Sequence, residues 1–214
     1  MLHEVPRFNG AHISASIDVI KHALSMYPKS IGVCFNGGKD SSVLLDLVEN
    51  VKKASYLDAD LKYVHFKSGR EFHEICDYLG EVERFYKIRI THIPCDSIKE
   101  GLKKLLEQCP LKALFLGVRS SDPEGKNIGY FQPTTNGYAS IMRVSPLLDW
   151  NYNDIWNYID ENKVPVCKLY SNGYSSIGNI CDTQRNPLLK KNGVYVHARY
   201  LENNDFERIG RSKL

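Results

Sequence analysis

Apolar residues follow two alternating patterns along most of the chain. Short apolar runs predict buried strands at 31–35, 61–66, 88–93 and 113–118. Apolar residues repeated every three or four positions predict helices near 13–27, 43–51, 72–86 and 98–105. Strands and helices that alternate at this spacing are typical of a parallel sheet with helices on both faces. We therefore expect an α/β fold of three layers, with a doubly wound, mostly parallel sheet.

The pattern changes after Val118, where Gly, Pro, Asn and aromatic residues become frequent. One further strand (140–145) and one further helix (153–161) are predicted, and few apolar repeats follow. A long irregular segment in a compact domain is usually functional or disordered, and the Tyr, Leu and Cys content argues against disorder. We expect one domain with an N-terminal helix (1–29), an α/β core (30–160) and a loop-rich C-terminal extension (161–214).

The composition fits a folded protein outside the membrane. Of the 214 residues, 43% are hydrophobic, and the longest apolar runs are far shorter than the ~20 residues of a membrane helix. The N-terminus, Met1 to Pro6, lacks a signal-peptide pattern. We expect a cytoplasmic protein with no membrane partner and no room for a second catalytic domain. The oligomeric state stays open, and a monomer is plausible.

Six scattered cysteines form no CxxC pair, and we interpret them as reduced core residues rather than redox or metal sites: Cys34, Cys76, Cys95, Cys109, Cys167 and Cys181. The net charge is +3, and the positive surplus lies from Arg185 onward, where seven Lys and Arg accompany three Asp and Glu. This surplus is too small for a nucleic-acid-binding stripe and suits a small anionic ligand.

The strongest chemical signal is a loop between the first predicted strand and the next helix, Phe35-Asn36-Gly37-Gly38-Lys39-Asp40-Ser41-Ser42. Adjacent glycines allow a sharp turn, and a helix start offers free N–H groups and a positive dipole end to an anion. The serine hydroxyls can bind phosphate or cap the helix, and Lys39 adds charge if its side chain turns inward. The alternative is an ordinary Gly-rich turn. The spacing matches neither a Walker loop nor GxGxxG.

A second polar loop follows the fourth predicted strand and contains Gly117, Arg119 and Asp122. Ligands of open α/β sheets bind at the carboxyl ends of strands, so this loop should face the same crevice. A guanidinium can bind phosphate, and a carboxylate can hold Mg²⁺. The alternative for Arg119 and Asp122 is an exposed ion pair before Pro123.

The phosphate loop (35–42) resembles the Ser-Gly-Gly-x-Asp-Ser loop of the adenine nucleotide α-hydrolase superfamily, with Asn36 in place of serine. Downstream, PTTNG (133–137) and RVSPLLDWNYNDIW (143–156) are similar to the eukaryotic type of FAD synthetase, an FMN adenylyltransferase with a fold like that of phosphoadenylylsulfate (PAPS) reductase. The similarity continues through 164–170, 173–178 and 182–187, and Asn at the first loop position is part of that family's pattern.

The resemblance implies that ATP and FMN react to give FAD and pyrophosphate. Phosphoryl-transfer enzymes generally use Mg²⁺, for which Asp40 and Asp122 are candidate ligands. The catalytic candidates are Asn36, Asp40, Asp122 and Arg208. We expect ATP contacts from residues 35–42, Gly117 and Arg119, with adenine near the end of the second strand at His65 and Phe66.

In the resembling family, FMN contacts come from the second loop, the segment 143–150 and C-terminal arginines, so we expect one catalytic domain in which 30–160 is the nucleotide-binding core and 161–214 is the flavin-side extension. The corresponding candidates here are Arg119, Asp122, Arg143, Asp149, Trp150, Tyr174, Arg208 and Arg211. Trp150, Tyr170 and Tyr174 either pack over loops or stack on the flavin ring, whereas Trp156 fits the core. Arg208 and Arg211 would share one face of a short helix and converge on an anion, or else belong to a solvated terminus.

Two other classes are weighed against this function. A PAPS or adenylylsulfate reductase needs a nucleophilic cysteine near the C-terminus, and no cysteine follows Cys181. A non-catalytic nucleotide- or tRNA-binding module would favour a basic and aromatic platform, which the sequence lacks. The small-molecule substrates ATP and FMN are therefore the expected partners, without nucleic acid.

Overall fold

The computed structural model describes residues 10–55, 60–135 and 137–212. The N-terminal segment Met1 to Pro6 and the motif residue Asn136 lie outside these ranges. Every strand and helix expected from the apolar pattern is present. The helices are α1 (Ala11–Met26), α2 (Lys39–Ala54), α3 (His73–Tyr86), α4 (Ile98–Gln108) and α5 (Tyr152–Asn162).

Six strands form the main sheet in the order β3-β2-β1-β4-β6-β5. They are β1 (Ile31–Cys34), β2 (Lys62–Lys67), β3 (Ile90–Pro94), β4 (Ala113–Phe115), β5 (Phe131–Pro133) and β6 (Met142–Val144). All neighbours are parallel except β5, which pairs antiparallel with β6. The apolar pattern misses β5 because a three-residue strand at the sheet edge leaves no clear period.

The path of the chain through the sheet sets the three layers. From β1 the chain moves outward through α2 to β2 and through α3 to β3, then returns past β1 through α4 to β4. Because such crossovers are right-handed, α2 and α3 cover one face and α4 covers the other. The direction reverses between β1 and β4, which is the switch point where open sheets bind ligands.

Two apolar clusters correspond to the two faces. The larger one joins the sheet to α1, α2, α3 and α5 and includes Ile20, Val33, Leu44, Val82 and Phe115. The smaller one packs α4 on the sheet through Val64, Ile93, Leu102, Leu105, Leu111, Leu114 and Ile141. The predicted three-layer, mostly parallel α/β fold is thereby confirmed.

Side-chain caps fix where two helices begin. Ser97 Oγ accepts a hydrogen bond from the Glu100 N–H at 3.2 Å, and Glu100 Oε2 accepts from the Asp96 N–H at 3.0 Å at the start of α4. Asn151 and Asp154 form a reciprocal capping box at the start of α5. The α5 cap holds the chain directly after Asp149 and Trp150, at one edge of the site described below.

The C-terminal extension consists of short 3₁₀ turns and a two-stranded hairpin. The turns cover Lys168–Asn172, Pro187–Leu189, Ala198–Tyr200 and Asn204–Phe206, and the hairpin joins β7 (Lys190–Lys191) to β8 (Val194–Tyr195). Tyr170, Leu189, Ala198 and Leu201 from this extension join the larger apolar cluster. The irregular backbone therefore packs as part of the fold.

The six cysteines are all unpaired. Cys95 and Cys167 are buried, Cys34 and Cys109 are half-buried, and Cys76 and Cys181 are exposed. The expectation of core positions is wrong for the last two, because Cys76 lies on the outer side of α3 and Cys181 lies in a turn. Within the described ranges, every helix is too short or too polar to cross a membrane.

Candidate active site

A polar crevice opens between the carboxyl ends of β1 and β4, at the switch point of the sheet. Its lining comes from the phosphate loop, the loop after β4 and the C-terminal extension. Gly117 allows the loop after β4 to approach the first turn of α2, since a side chain there would come within 3.0 Å of the Asp40 and Ser41 backbone. The crevice thus brings together the two loops singled out from the sequence.

Asn36 organises the phosphate loop through its side-chain oxygen. Oδ1 accepts hydrogen bonds from the Gly38 N–H at 2.9 Å and from Ser41 Oγ at 2.8 Å. Gly37 turns the chain with φ of 76°, in the left-handed region that favours glycine. Because the oxygen is used by the loop itself, the exposed Asn36 side chain keeps its two amide N–H groups for a ligand.

The serine hydroxyls of the loop bond within the protein. Ser42 Oγ donates to the Gly38 carbonyl at 3.0 Å and contacts Tyr78 Oη at 2.8 Å. Ser41 Oγ also lies 2.8 Å from the Gly38 carbonyl, so its single proton is shared between that carbonyl and Asn36 Oδ1. Asn36, Gly38, Lys39, Asp40 and Ser41 border the crevice. Phe35, Gly37 and Ser42 do not, because the Phe35 side chain is fully buried, Gly37 lies against Ile75, and Ser42 faces Tyr78. Their expected ATP contacts are therefore not supported by their positions.

Lys39 turns inward and joins an ion cluster of six side chains: Lys39, Asp40, Arg119, Asp122, Glu207 and Arg208. Lys39 Nζ lies 3.0 Å from Asp40 Oδ2 and 2.5 Å from Glu207 Oε1. Arg119 lies 2.9 Å from Asp40 Oδ1 through Nε, and its Nη2 donates to both Glu207 oxygens at 2.9 and 2.7 Å. Lys39 and Arg119 are each 1% exposed, so the expected alternative of a surface ion pair for Arg119 is wrong.

The pKa values of Asp40 and Asp122 in the ion cluster are shifted in opposite directions. Burial alone would raise the pKa of Asp40, but the adjacent Lys39 and Arg119 outweigh it and hold that pKa below its ordinary value. For Asp122, burial outweighs the attraction of Arg119 and raises the pKa. Burial opposes the charge of Arg119, yet Asp40 and Glu207 raise its pKa further, so the guanidinium stays protonated.

Tyr170 connects the extension to the start of α2. Its hydroxyl oxygen accepts a 2.8 Å hydrogen bond from the Lys39 N–H, the first amide of that helix. The side chain is 1% exposed, packs edge-on against Trp156 and also borders the crevice. Tyr170 therefore packs over the loops, which was one of the two expected roles, and Trp156 lies in the core as expected.

A second cavity, of about 280 Å³, lies at the end of β2 and shares Asn36 and Ile177 with the crevice. His65 and Phe66 border it, as expected for the adenine side. His65 is buried, and its ring nitrogens lie 3.0 Å from the Phe35 carbonyl and from Glu71 Oε1. These contacts fix His65 as part of the cavity wall.

A third cavity, of about 460 Å³, lies on the extension side of the ion cluster. Among the flavin candidates, Arg119, Asp122, Asp149, Trp150 and Arg208 border it. Trp150 is only 2% exposed, however, and its indole N–H donates to Ser16 Oγ at 2.8 Å. Its ring is thus a core side chain packed against α1, and a stacking role on flavin is not supported.

Three other flavin candidates lie away from this cavity. Arg143 pairs with Leu114 and Gln132 in mid-sheet, and the Tyr174 ring packs edge-on against Phe72. Arg211 Nη2 lies 3.1 Å from Asp182, whereas Arg208 Nη1 lies 3.8 Å from Asp122. The segment after Phe206 is a turn rather than a helix, so Arg208 and Arg211 diverge and the expected convergence on one anion is wrong.

Glu207, Ser176 and Ile177 line the crevice but were not expected from the sequence. All three come from irregular segments of the extension. For Glu207 the available signal was a carboxylate in a tail of net positive charge, between the apolar residues Phe206 and Ile209. A buried ion partner for the predicted cations could have been sought there.

The carboxylates of the crevice suit a metal that arrives with phosphate. Mg²⁺ is usually held by one or two carboxylates together with phosphates and water. Asp40 and Asp122 both border the crevice, and the buried Oδ1 of Asp40 lies 2.9 Å from Arg119 Nε without a well-aligned hydrogen bond. Among residues 10–55, 60–135 and 137–212, no group of three or more His, Cys, Asp or Glu is placed to hold a metal ion. A Mg²⁺ ion held by Asp40 and Asp122 would therefore need further oxygen ligands from a substrate.

The chain is similar to known proteins in sequence and in fold. The family model of the phosphoadenosine phosphosulfate reductase domain matches residues 30–106 and 94–185. A probable FAD synthase of Schizosaccharomyces pombe is 33% identical over 208 residues, covering 94% of this chain and 78% of that protein. A probable FAD synthase of Caenorhabditis briggsae is 32% identical over 212 residues, which cover 92% of this chain but 39% of the nematode protein.

Among solved structures, the FMN adenylyltransferase of Candida glabrata shares the fold, with a TM-score of 0.87 at 23% identity over 95% of this chain and 87% of that chain. The family match spans residues 30–185, and the fission yeast relative aligns with 94% of the chain. The chain belongs to the FAD synthase family, within the group of proteins built on the phosphoadenosine phosphosulfate reductase domain.

Proposed function

We propose that this protein transfers the adenylyl group of ATP to FMN and so forms FAD and pyrophosphate. The observation that carries the proposal is the ion cluster, which joins the phosphate loop, the loop after β4 and the C-terminal turn (residues 204–211) between two cavities. A reaction between two polyanions needs such a place, because their phosphates must be held close together against mutual repulsion by fixed local charges and a bound cation.

The chemistry requires positioning more than proton transfer. An oxygen of the FMN phosphate attacks the α phosphorus of ATP, the bond between that phosphorus and the bridging oxygen breaks, and pyrophosphate leaves. A phosphate nucleophile is already ionised near pH 7, so a general base is not required. The residues that border the crevice suit this task, since they offer amide N–H groups and fixed charges.

The three cavities suggest where each substrate lies. The crevice would hold the ATP phosphates beside Asn36, Gly38 and Gly117, and the second cavity would hold adenine beside His65 and Phe66. The third cavity, bordered by Asp149 and Arg208, would hold FMN. The whole chain then forms one catalytic domain, in which the core supplies the ATP side and the extension supplies much of the flavin side.

Mg²⁺ is proposed to enter with the ATP phosphates. Asp40 and Asp122 are the residues that would hold it, because both border the crevice and offer carboxylate oxygens. When bound, the ion would neutralise charge on the phosphates. The protein side chains themselves orient the loop: Asp40 holds Lys39 and Arg119, and Asn36 leaves its N–H groups free for phosphate.

The test is an assay of FAD formation from ATP, FMN and Mg²⁺ with the wild type and Asp40→Asn. We expect the variant to lose at least about 100-fold in kcat/KM, or about 2.7 kcal/mol of transition-state stabilisation. Asp60→Asn is the matched control, because among the described residues Asp60 pairs with Lys62 at the exposed surface. Near-normal turnover and unchanged Mg²⁺ dependence in Asp40→Asn would show that Asp40 has no role in the reaction. If the wild type forms no FAD, the proposed function is rejected.

Reductase chemistry fits the structure less well. Burial raises the pKa of Cys34, which borders the crevice, to about 12, and raises the pKa of Cys167 to about 11, so both are poor nucleophiles. A nucleotide- or tRNA-binding module has no specific observation in its favour. We propose that the protein acts in the cytoplasm on small molecules, without nucleic acid or membrane partners, since six unpaired cysteines suit a reducing compartment.

A further inference from the structure

Glu207 occupies the centre of the ion cluster although it belongs to the last turn of the chain. It is 8% exposed, and its carboxylate binds Lys39 of the phosphate loop and Arg119 of the loop after β4 at the same time. Lys39 is further enclosed by the Tyr152 ring, 5.1 Å from its Nζ. The Lys39 ammonium is therefore used inside the protein, between Asp40 and Glu207, rather than presented to a phosphate.

The backbone around Glu207 is fixed independently of its side chain. Ser175 Oγ donates to the Glu207 carbonyl at 2.6 Å, and Asn186 Nδ2 donates both to Ser175 Oγ and to the Phe206 carbonyl, at 2.8 and 3.0 Å. Asn186 is fully buried. The C-terminal turn is thus held to the rest of the extension by these bonds and by the backbone bonds of the Gln184 N–H to the Gly210 carbonyl and of the Ser212 N–H to the Asp182 carbonyl. Glu207 connects it to the phosphate loop.

Arg208, the next residue, borders both the crevice and the third cavity and is 41% exposed. Its position over the site depends on where the turn is held. A carboxylate buried against two buried cations is strongly held, because removing it leaves their charges uncompensated. The Lys39–Glu207–Arg119 contact is therefore a rigid connection between the ATP side and the cation nearest the flavin side.

We propose that Glu207 is a positioning residue for adenylyl transfer, which locks the C-terminal turn onto Lys39 and Arg119 so that Arg208 meets the FMN phosphate. The proposal rests on the proposed function. One consequence is unusual: Lys39, although part of the phosphate loop, supports FMN binding through Glu207. A lysine that bound ATP phosphate directly would affect ATP binding instead.

The experiment compares Glu207→Gln, Lys39→Met and the double variant with the wild type. Glu202→Gln is the matched control, because Glu202 lies in the same tail but pairs with Lys191 at the exposed surface. The readouts are KM for FMN, KM for ATP and kcat, the dissociation constant of FMN from flavin fluorescence, and hydrogen exchange of the amides of residues 204–211. The double variant removes one charge of each sign, which keeps the buried cluster balanced and the protein folded.

We expect Glu207→Gln and Lys39→Met each to weaken FMN binding about tenfold or more while the KM for ATP changes less than about threefold. The double variant should bind FMN no more weakly than the more impaired of the two single variants, since both changes break the same contact. Exchange in 204–211 should accelerate in all three variants and stay unchanged in Glu202→Gln. Wild-type FMN affinity in Glu207→Gln, additive losses in the double variant, or a loss confined to ATP would each overturn the proposal.

Failure of the proposed function gives a different result. If the wild type neither binds FMN nor forms FAD, the enzymatic assignment falls. The exchange rates of 204–211 would still show whether Glu207 holds the turn. If FAD forms normally and the turn is equally protected in Glu207→Gln, the enzymatic assignment stands and the positioning role of Glu207 is rejected.

Discussion

The α/β core and the C-terminal extension are stabilised in different ways. In the core, parallel strands and amphipathic helices bury continuous apolar faces, as in the pairing of β1 with β2 and β4. In the extension, individual polar contacts hold short turns, such as those of Asn186 with Ser175 and of Arg211 with Asp182. Both regions nevertheless supply side chains to the same crevice.

The difference matters for how each region tolerates change. An apolar face is built from many small contributions, so a single substitution removes only part of it. A turn held by one buried amide loses its support when that amide is removed. Substitutions in the extension should therefore affect substrate binding at a smaller cost to overall stability, whereas substitutions in the core should do the reverse.

The largest effect should follow from truncation after Leu201. The shortened chain keeps Leu201 and Ala198 in the apolar cluster but loses Glu207 and Arg208. We expect a folded protein with FAD formation reduced about 100-fold or more, and with FMN binding weakened more than ATP binding. Circular dichroism, titration with each substrate and the FAD assay test this. Wild-type FAD synthesis would show that the FMN phosphate is held by residues other than Glu207 and Arg208.

Asn186→Ala should loosen the extension without disturbing the core. The Phe206 carbonyl and Ser175 hydroxyl lose their partner, which should cost about 1–3 kcal/mol in the free energy of unfolding. Asn203→Ala is the control, because Asn203 is exposed and caps its turn through one hydrogen bond to the Asp205 N–H. Urea unfolding and the KM for FMN are the measurements. Equal losses of unfolding free energy and of FMN binding in Asn186→Ala and Asn203→Ala would contradict the expectation that the buried Asn186 amide holds the turn.

Cys167→Ser and Cys181→Ser compare two positions within the extension. Cys167 is 1% exposed, so a more polar side chain there should destabilise by about 1–2 kcal/mol, whereas exposed Cys181 should change stability by less than about 0.5 kcal/mol. Neither substitution should change kcat, because neither thiol takes part in the reaction. Loss of turnover in a folded Cys181→Ser protein would indicate that the Cys181 thiol takes part in the reaction.

The smallest effect concerns a polar group inside the core. Asp46 accepts hydrogen bonds from Tyr158, Tyr86 and Asn50, but burial outweighs them and raises its pKa. Its protonation therefore favours the folded state below the ordinary aspartate pKa, and this contribution is lost as pH rises through the raised value.

Asp46→Asn removes this titration. The Tm of the wild type should rise relative to that of Asp46→Asn as the pH is lowered from 7 toward the ordinary aspartate range. Scanning calorimetry of both proteins at several pH values measures the difference. A Tm difference that is independent of pH would show that Asp46 does not titrate between these limits.

Much of the core could be predicted because its residues repeat. The spacing of apolar residues located α1 to α5 and β1 to β4. The phosphate loop was identifiable because it combines two glycines and charged residues with a position between a strand and a helix. The crevice followed from the rule that ligands bind at the carboxyl ends of strands. Asp40, Arg119 and Asp122 were therefore found, and the structure brings all three together.

The extension could be predicted only in outline. Glu207 and Tyr170 reach the phosphate loop from 168 and 131 residues away in sequence, and no local pattern encodes such contacts. Arg211 faces Asp182 because its segment is a turn, whereas helical spacing alone placed it beside Arg208. The core position of Trp150 could not be predicted locally, because its hydrogen-bond partner Ser16 lies in α1, far away in the sequence.

The net charge of the ion cluster at the switch point affects how substrates associate with the site. The ion cluster contains three cations and three carboxylates, and therefore carries no net formal charge: Lys39, Arg119 and Arg208 against Asp40, Asp122 and Glu207. A neutral cluster exerts little long-range pull on a diffusing polyanion, so substrate association should depend only weakly on ionic strength. A nucleotide that carries its own divalent cation would approach this cluster with part of its charge already offset.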